Sequence, residues 1–307
     1  MNIVMTLMVK NEGDILGQNI EFHRRQGVSH FLITDHRSSD ESLAIARHYE
    51  ALGLADVFTE TSDQFRQGEW VTRMARLAST KHKADWVINS DADEFWLPAR
   101  GDLQMALAAI DPQVTALTLP RFNVVYCHAY SDIILEGKFR YRSALAELPK
   151  TCHRGDPSIL ISEGNHLAVS ERGQVQRHGA ISILHYPVRS YEQFKRKVVE
   201  GAANLERTTD LDPMVGWHWR QAAAAHRAGQ LRQFFLANRY CGEIVMDTIT
   251  LRKKLDDRTL IQDERIARFL QGSSHKLEPS DPSGNPINLI QLIATTRLDE
   301  AAFWSDA

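Results

Sequence analysis

Residues 2–12 read NIVMTLMVKNE. An apolar run with β-branched members, residues 2–9, is the pattern of a strand buried on both faces of a parallel sheet. A helix is expected next, with Asn11 as its cap, Asp14 in its first turn, Ile15, Leu16 and Ile20 as its apolar stripe, and Gly27 closing it. The same grammar then repeats. Residues 30–35 (HFLITD) predict a second strand, Ser39 or Asp40 caps a helix carrying Ile45, Tyr49 and Leu52, and Gly53 ends it. Residues 56–59 are a short third strand, Trp70, Met74 and Leu77 mark a third helix, and residues 85–89 are the fourth strand. Leu103, Ala106, Leu107 and Ile110 give one more helix, stopped at Asp111-Pro112. Such alternation argues for an open, mostly parallel sheet with helices on both faces.

Beyond residue 112 the pattern changes. Residues 116–119, 123–126, 133–135, 159–162 and 181–184 are β-like runs separated by polar turns, which predicts a mixed or antiparallel extension. After His185 the strands are expected to stop. Ser190 and Gln193 form a capping-box pattern before Phe194, Val198, Ala202 and Leu205, and helices are expected to about residue 300, interrupted by a Pro/Gly/Ser-rich loop at 272–286. The predicted fold is α/β and Rossmann-like, with the sheet extension at 113–189 and a helical C-terminal region at 190–307 added to an α/β half at 1–112.

The composition bounds the function. With 307 residues, 43% hydrophobic, and 36 basic against 39 acidic side chains for a net charge of −3, the chain is an ordinary globular protein and not a disordered one. A pI near 6.5 gives no global field for a polyanion, so nucleic acid is not an expected partner. Cys127, Cys152 and Cys241 are an odd set without CxxC spacing, which argues against a disulfide framework or zinc knuckle and for a reducing, cytoplasmic location. The opening run lacks a preceding positive charge and reads as a strand, not a leader. No run of about 18 apolar residues occurs, so membrane contact is expected only at the periphery, at the inner face.

In an open α/β sheet ligands bind beyond the carboxyl ends of the strands. The polar residues there are Asn11, Glu12, Asp35 and the string Asp91-Ala92-Asp93-Glu94. In extended backbone, alternate side chains point the same way, so Asp91 and Asp93 can converge on one point, and paired carboxylates suit Mg²⁺ or Mn²⁺ shared with phosphate and water. The alternative is a helix cap with solvated turn acids. A second Asp-x-Asp, at Asp210 and Asp212, has no strand before it and reads as a chance copy.

Three ordered motifs carry a family resemblance. Val9-Lys10-Asn11-Glu12, Asp35 with Ser38, Ser39 and Asp40, and Trp86-Val87-Ile88-Asn89-Ser90-Asp91-Ala92-Asp93-Glu94-Phe95 together resemble the family 2 glycosyltransferases, in particular a bacterial branch with an Asp-x-Asp-Glu-Phe motif. The similarity is clearest over residues 1–100 and extends loosely to about 195. It implies a GT-A fold, a nucleotide-sugar donor, UDP-linked by preference, and metal-assisted transfer with inversion to a hydroxyl of a glycan, a lipid-linked or another cell-envelope acceptor. By matched position, Val9, Asn11 and Glu12 would line the nucleoside pocket, Asp35 would bond the base or ribose, and Arg73 would lie near the nucleotide. Asp93 would ligate Mn²⁺ or Mg²⁺ directly, and Asp91 would act through water or on the ribose. The proline common before the nucleotide-contacting residues in many family 2 members is absent here, which concerns the shape of the base pocket.

Such a site needs further groups. His185, after the strand at 181–184, is the candidate third metal ligand. An inverting displacement requires a general base, for which Glu163, His166 and Glu94 are the candidates in that order. Lys150 and Arg154 are candidates to meet phosphates, with solvated surface positions as the alternative. Trp217-His218-Trp219 is a candidate sugar platform or, alternatively, a core anchor. Lys195, Arg196, Lys197, Arg252, Lys253 and Lys254 read as solvated helix faces. Two other classes compete: a phosphatase or phosphotransferase with Asp91 as nucleophile, and a binding protein that keeps the fold without the chemistry.

Overall fold

The computed structural model describes residues 1–127, 141–170, 173–208, 215–237, 244–266 and 268–269. The first half alternates as predicted: β1 (Ile3–Val9), α1 (Leu16–Arg25), β2 (Val28–Asp35), α2 (Ser42–Ala51), β3 (Ala55–Thr59), α3 (Gln67–Thr80) and β4 (Trp86–Asp91). Then come β5 (Glu94–Pro98), α4 (Leu103–Ala108), β6 (Val114–Asn123), β7 (Tyr126–Cys127), β8 (Tyr141–Ser143), β9 (Glu147–Arg154), β10 (Leu160–Ile161), β11 (Ala168–Val169), β12 (Gln174–Arg177) and β13 (Ile181–His185). The last elements are α5 (Tyr191–Arg207), α6 (Trp217–Arg227), α7 (Leu231–Leu236), β14 (Val245–Met246), α8 (Thr248–Asp256) and β15 (Leu260–Gln262).

The main sheet has the order β3-β2-β1-β4-β9-β6-β13-β5, with β12 added beside β6. Pairs among β1 to β4 are parallel, and β9 and β5 enter antiparallel. Helices cover both faces, and β1 shows why its sequence is apolar throughout. Ile3, Met5, Leu7 and Val9 pack with Leu16 and Ile20 of α1, Ile45 and Tyr49 of α2 and Leu103 of α4, whereas Val4 packs with Val71, Met74 and Ala78 of α3. Both faces of this strand are therefore core. Thr6, the polar interruption, is buried and donates to Asn89 Oδ1 of β4 at 3.0 Å.

Several expectations are corrected. Asn11 does not cap α1: it adopts φ +54° and its Oδ1 accepts from Ser39 N–H at 2.7 Å. The helix starts later, at Leu16, without a side-chain cap. Neither Ser39 nor Asp40 is the cap of α2, which is Glu41; Asp40 Oδ1 instead accepts from Ser42 N–H. Strands do not stop at His185. β14 pairs with β7 and β15 with β8, so the helical region is stitched to the mixed half by short ladders too brief to show a period in sequence. Ser190 caps α5 by accepting from Gln193 N–H at 3.0 Å, but Gln193 Oε1 accepts from Arg189 N–H, not from the cap itself. The β-like run at 133–135, the second Asp-x-Asp at 210–212, Cys241 and the loop at 272–286 lie outside the described residues. Cys127 and Cys152 are free and buried. Among the described residues no helix is long and apolar enough to cross a membrane.

Candidate active site

The order β2-β1-β4 sets three strand ends side by side. Val9 faces Asp35 in the β1–β2 register and Met8 faces Asp91 in the β1–β4 register, so Asp35, Val9 and Asp91 emerge along one edge. Asp91 is the last residue of β4, and Ala92-Asp93 is a turn before β5. The two carboxylates thus stand at either end of a tight turn and do not alternate along a strand, and with His185 they do not offer ligand atoms that all lie within 4.8 Å of one another, which corrects the expected convergence of Asp91, Asp93 and His185.

Asp93 is 2% exposed and sits among three basic side chains. Lys197 Nζ is 2.7 Å from its Oδ2, His185 Nε2 is 3.5 Å from its Oδ1, and Arg189 Nη1 is 3.7 Å from Oδ2. Burial pushes this carboxyl up, yet Lys197 and His185 outweigh burial and hold it well below the usual range. His185 is placed by strand pairing: β13 runs antiparallel to β5 with His185 opposite Glu94, and its Nδ1 meets Asn123 Oδ1 at 2.7 Å. Burial lowers the imidazole to about 4 despite Asp93, so it is neutral at physiological pH.

Asp91 is held differently. Its Oδ2 accepts from Lys150 Nζ at 2.5 Å, and its Oδ1 accepts from Gln67 Nε2 at 2.8 Å and from Asn165 Nδ2 at 3.3 Å. Burial opposes ionisation here too, but the Lys150 ammonium wins and the carboxyl is lowered. Lys150 is not a surface residue. Its side chain is 1% exposed, and it also lies 2.9 Å from Glu94 Oε1. β9 delivers it, running antiparallel beside β4 with Cys152 opposite Ile88. Glu94 is fully buried, and burial raises it to about 7 against the pull of Lys150.

Helix α5 closes the strand ends. Lys197 also reaches Glu12 Oε1 at 3.2 Å, Glu200 Oε2 accepts from Asn11 Nδ2 at 2.7 Å, and Arg196 donates to Asn11 O at 3.2 Å. These three positions share one helix face. The reading of Lys197 as solvated is therefore wrong, because the helix lies over the acids and Lys197 turns inward, whereas Arg196 keeps a 37% exposed side chain beside Asn11 and Asp40. Arg189 was not among the expected residues. It is buried, bonded to Glu12, to both oxygens of Asp14 at 2.6 and 2.8 Å, and to Tyr186 O at 3.0 Å. Gln67 and Asn165 were also missed, although Asn165 has φ +58°, a backbone state that tolerates few side chains.

Asp35 is 2% exposed. Its Oδ2 accepts from Ser38 N–H at 3.1 Å, while its Oδ1 is buried without a protein partner. An orphaned carboxylate oxygen at a strand end is a place for a ligand donor.

The remaining candidates separate. Glu163 Oε1 accepts from Gly68 N–H at 3.0 Å, at the start of α3, and burial raises its carboxyl. His166 Nδ1 contacts Pro149 O at 2.7 Å, and burial with the neighbouring Lys150 lowers it to about 4. Arg73 pairs with Glu60 at 2.6 Å and lies over Phe58, beyond β2 on the β3 side. Arg154 is at the opposite end of the sheet, donating to Val114 O at 2.9 Å and stacked on Trp86, so it meets no phosphate at these strand ends. Trp219 packs on Gly201 of α5, with its ring 2.6 Å from where a Cβ would stand, whereas Trp217 is largely exposed. Arg252 and Lys253 are exposed on α8.

Comparison with known proteins agrees in kind. Residues 6–133, which run from within β1 to beyond β7 and include Asp35, Asp91, Asp93 and Glu94, match the family described as glycosyltransferase family 92. This supports glycosyl transfer and bears out the expectation of a transferase enzyme; the family matched is 92, and it agrees with the family 2 resemblance at the level of a glycosyltransferase. No curated protein matches the chain. Similar solved structures include residues 1–349 of S. aureus TarS in complex with UDP, 14% identical over 76% of this chain and 74% of that one, with a TM-score of 0.40. The glucosyl-3-phosphoglycerate synthase from Mycobacterium tuberculosis with Mn²⁺, UDP and glucosyl-3-phosphoglycerate is 14% identical over 69% and 81%, with a TM-score of 0.36. The mannosyltransferase PcManGT from Pyrobaculum calidifontis with GDP-Man and Mn²⁺ is 12% identical over 90% and 86%, with a TM-score of 0.40.

Proposed function

We propose that this chain is a metal-dependent, inverting glycosyltransferase that moves a sugar from a UDP-linked donor to a hydroxyl of a glycan or cell-envelope acceptor, with residues 1–112 as the donor half and 113–189 as the acceptor half. The observation that carries it is the row of strand-end acids, with Asp93 and His185 3.5 Å apart beside Asp91 and an unpartnered Asp35 oxygen two strands away. Asp35 Oδ1 takes a hydroxyl or N–H of the nucleoside, against Val9 and Asn11. Glu12 stays with Arg189 and Lys197, and Lys197 sits beside the place proposed for the diphosphate.

Asp93 and His185 would hold Mn²⁺ or Mg²⁺, the carboxylate giving the oxygen such ions prefer and phosphate and water completing the shell. When bound, the ion stabilises the charge that builds on the departing diphosphate. Asp91 is held by Lys150, Gln67 and Asn165 and acts through water. Lys197, paired with Asp93 and Glu12, would also serve a phosphate oxygen of the donor, and Arg189, buried and bonded to Glu12, Asp14 and Tyr186 O, fixes the acids it touches.

Among the candidate bases the geometry favours His166. A proton on Nδ1 donated to Pro149 O leaves Nε2 as the basic nitrogen, the arrangement a general base requires. Glu163 is tied to the start of α3, and Glu94 is enclosed by Lys150 and Arg121. A phosphatase reading is disfavoured because both Asp91 oxygens already accept hydrogen bonds.

Thermal unfolding with a panel of nucleotide sugars, with and without Mn²⁺, tests the proposal, since a ligand of the native state raises apparent stability. A UDP-sugar is expected to stabilise the wild type only with Mn²⁺ and to leave Asp93→Ala unmoved. Stabilisation by no nucleotide sugar, together with no slow donor hydrolysis, overturns it.

A further inference from the structure

The amino end of the same sheet holds a second cluster with ligand chemistry. His30 of β2, Asp56 of β3 and His82, just past α3, present nitrogen or oxygen atoms that all lie within 4.8 Å of one another. They are the only such set of His, Cys, Asp or Glu side chains among the described residues. His30 Nε2 is 3.3 Å from Asp56 Oδ1, and His82 Nε2 is 2.9 Å from Asp56 Oδ2. The two imidazoles stack with centroids 4.3 Å apart and planes 24° from parallel, so both Nε2 atoms are turned to the same carboxylate.

We infer that His30, Asp56 and His82 form a binding site for a zinc-class divalent ion, with water in the fourth position. Ligand atoms of a tetrahedral zinc shell stand about 3.3 Å apart, given metal–ligand distances near 2.0–2.1 Å; the N···O separations here are 3.3 and 2.9 Å, to different oxygens of Asp56. Binding one ion requires the nearly parallel imidazole rings to turn so that both Nε2 lone pairs meet it, and Asp56 to settle one oxygen on it. Two imidazoles and one carboxylate select zinc-like ions over Mg²⁺ or Ca²⁺, which prefer all-oxygen shells.

The scaffold is built before the ion arrives. Asp56 and His30 sit on paired parallel strands, with Leu32 opposite Asp56. The loop bearing His82 is fixed to β1 by Asn2, whose Nδ2 donates to His82 O at 2.6 Å and whose N–H is accepted by Asp85 Oδ2 at 2.6 Å. Among the described residues Lys81 competes for the carboxylate, 2.6 Å from Asp56 Oδ2, but its side chain is 60% exposed and can swing into water. The ion would pin β2, β3 and the entry to β4 at the end of the sheet away from Asp91. The length of β4 puts roughly 15–20 Å between the two ends, so this site is independent of the proposed catalytic ion.

Zn²⁺ titration of the untagged, full-length protein after chelator treatment, read by competition with a chromogenic chelator, tests this. One ion is expected to bind the wild type and Asp93→Asn alike. His82→Ala and Asp56→Asn are expected to weaken it by at least 10–100-fold, the scale already seen for losing outer-shell partners. Co²⁺ bound to the wild type should show the intense visible bands of a four-coordinate ion, a readout that does not depend on the variants folding. Absence of those bands, Zn²⁺ affinity unchanged in both variants, or binding lost in Asp93→Asn overturns the inference.

Discussion

His23 of α1 provides a quantitative test of how the sheet is held to its helices. It is fully buried, its Nε2 accepts from the backbone N–H of Trp96 on β5 at 3.1 Å, and its Nδ1 meets Asn19 O at 2.8 Å. That pairing fixes the neutral form with the proton on Nδ1, because a second proton on Nε2 would point at the Trp96 N–H. Burial lowers the imidazole from 6.5 to about 3. A group whose folded pKa is depressed leaves the unfolded chain binding more protons between the two values, so its contribution is complete above 6.5 and shrinks as pH falls toward 3. At about 1.36 kcal/mol per pH unit, lowering the pH from 6.5 to 5 removes about 2 kcal/mol through His23 alone. His23→Leu lacks this group but leaves the Trp96 N–H unpaired, a cost of about 1–3 kcal/mol. Urea unfolding of both proteins at pH 8 and pH 5, followed by tryptophan fluorescence, should therefore show the mutant's deficit shrinking by about 2 kcal/mol at the lower pH. An equal deficit at both pH values would refute the assignment of a neutral, proton-excluding His23.

Three further outcomes are expected. Lys150→Met strips the counter-charge from buried Glu94 and from Asp91, and chemical denaturation should show a loss of about 3–5 kcal/mol at pH 8. Asp35→Asn keeps an acceptor for Ser38 N–H but removes the charge at the orphaned oxygen; calorimetry should find UDP binding with Mn²⁺ weakened roughly tenfold, about 1.4 kcal/mol, with the thermal midpoint of the free protein nearly unchanged. Gly155→Ala places a Cβ 2.2 Å from Ala84 O, a backbone atom that cannot step aside, and should lower stability by about 1–3 kcal/mol in the same denaturation assay.

The local readings succeeded where one segment's own chemistry decides its state. β1, β2 and β4 are apolar because both faces are covered, and Gly27 and Gly53 end their helices in the left-handed region, at φ +93° and +71°. The strand-end acids could be picked out because the carboxyl edge of a parallel sheet is where side chains leave the ladder. β9 was not legible: Glu147–Arg154 mixes charged, polar and apolar residues without a clean alternation, since it is an inner strand whose Lys150 points at buried acids. Lys197 was misread for a related reason. A basic helix face has the same sequence pattern whether it meets water or carboxylates.

Periodicity and turn chemistry act over a few neighbouring residues, so the α/β alternation and the acids at its strand ends can be read along the chain. How those acids are balanced is set by packing between distant segments. Asp93 meets Lys197 from 104 positions away and Glu12 meets Arg189 from 177, and charge at that separation acts through space, so no local pattern along the chain records it.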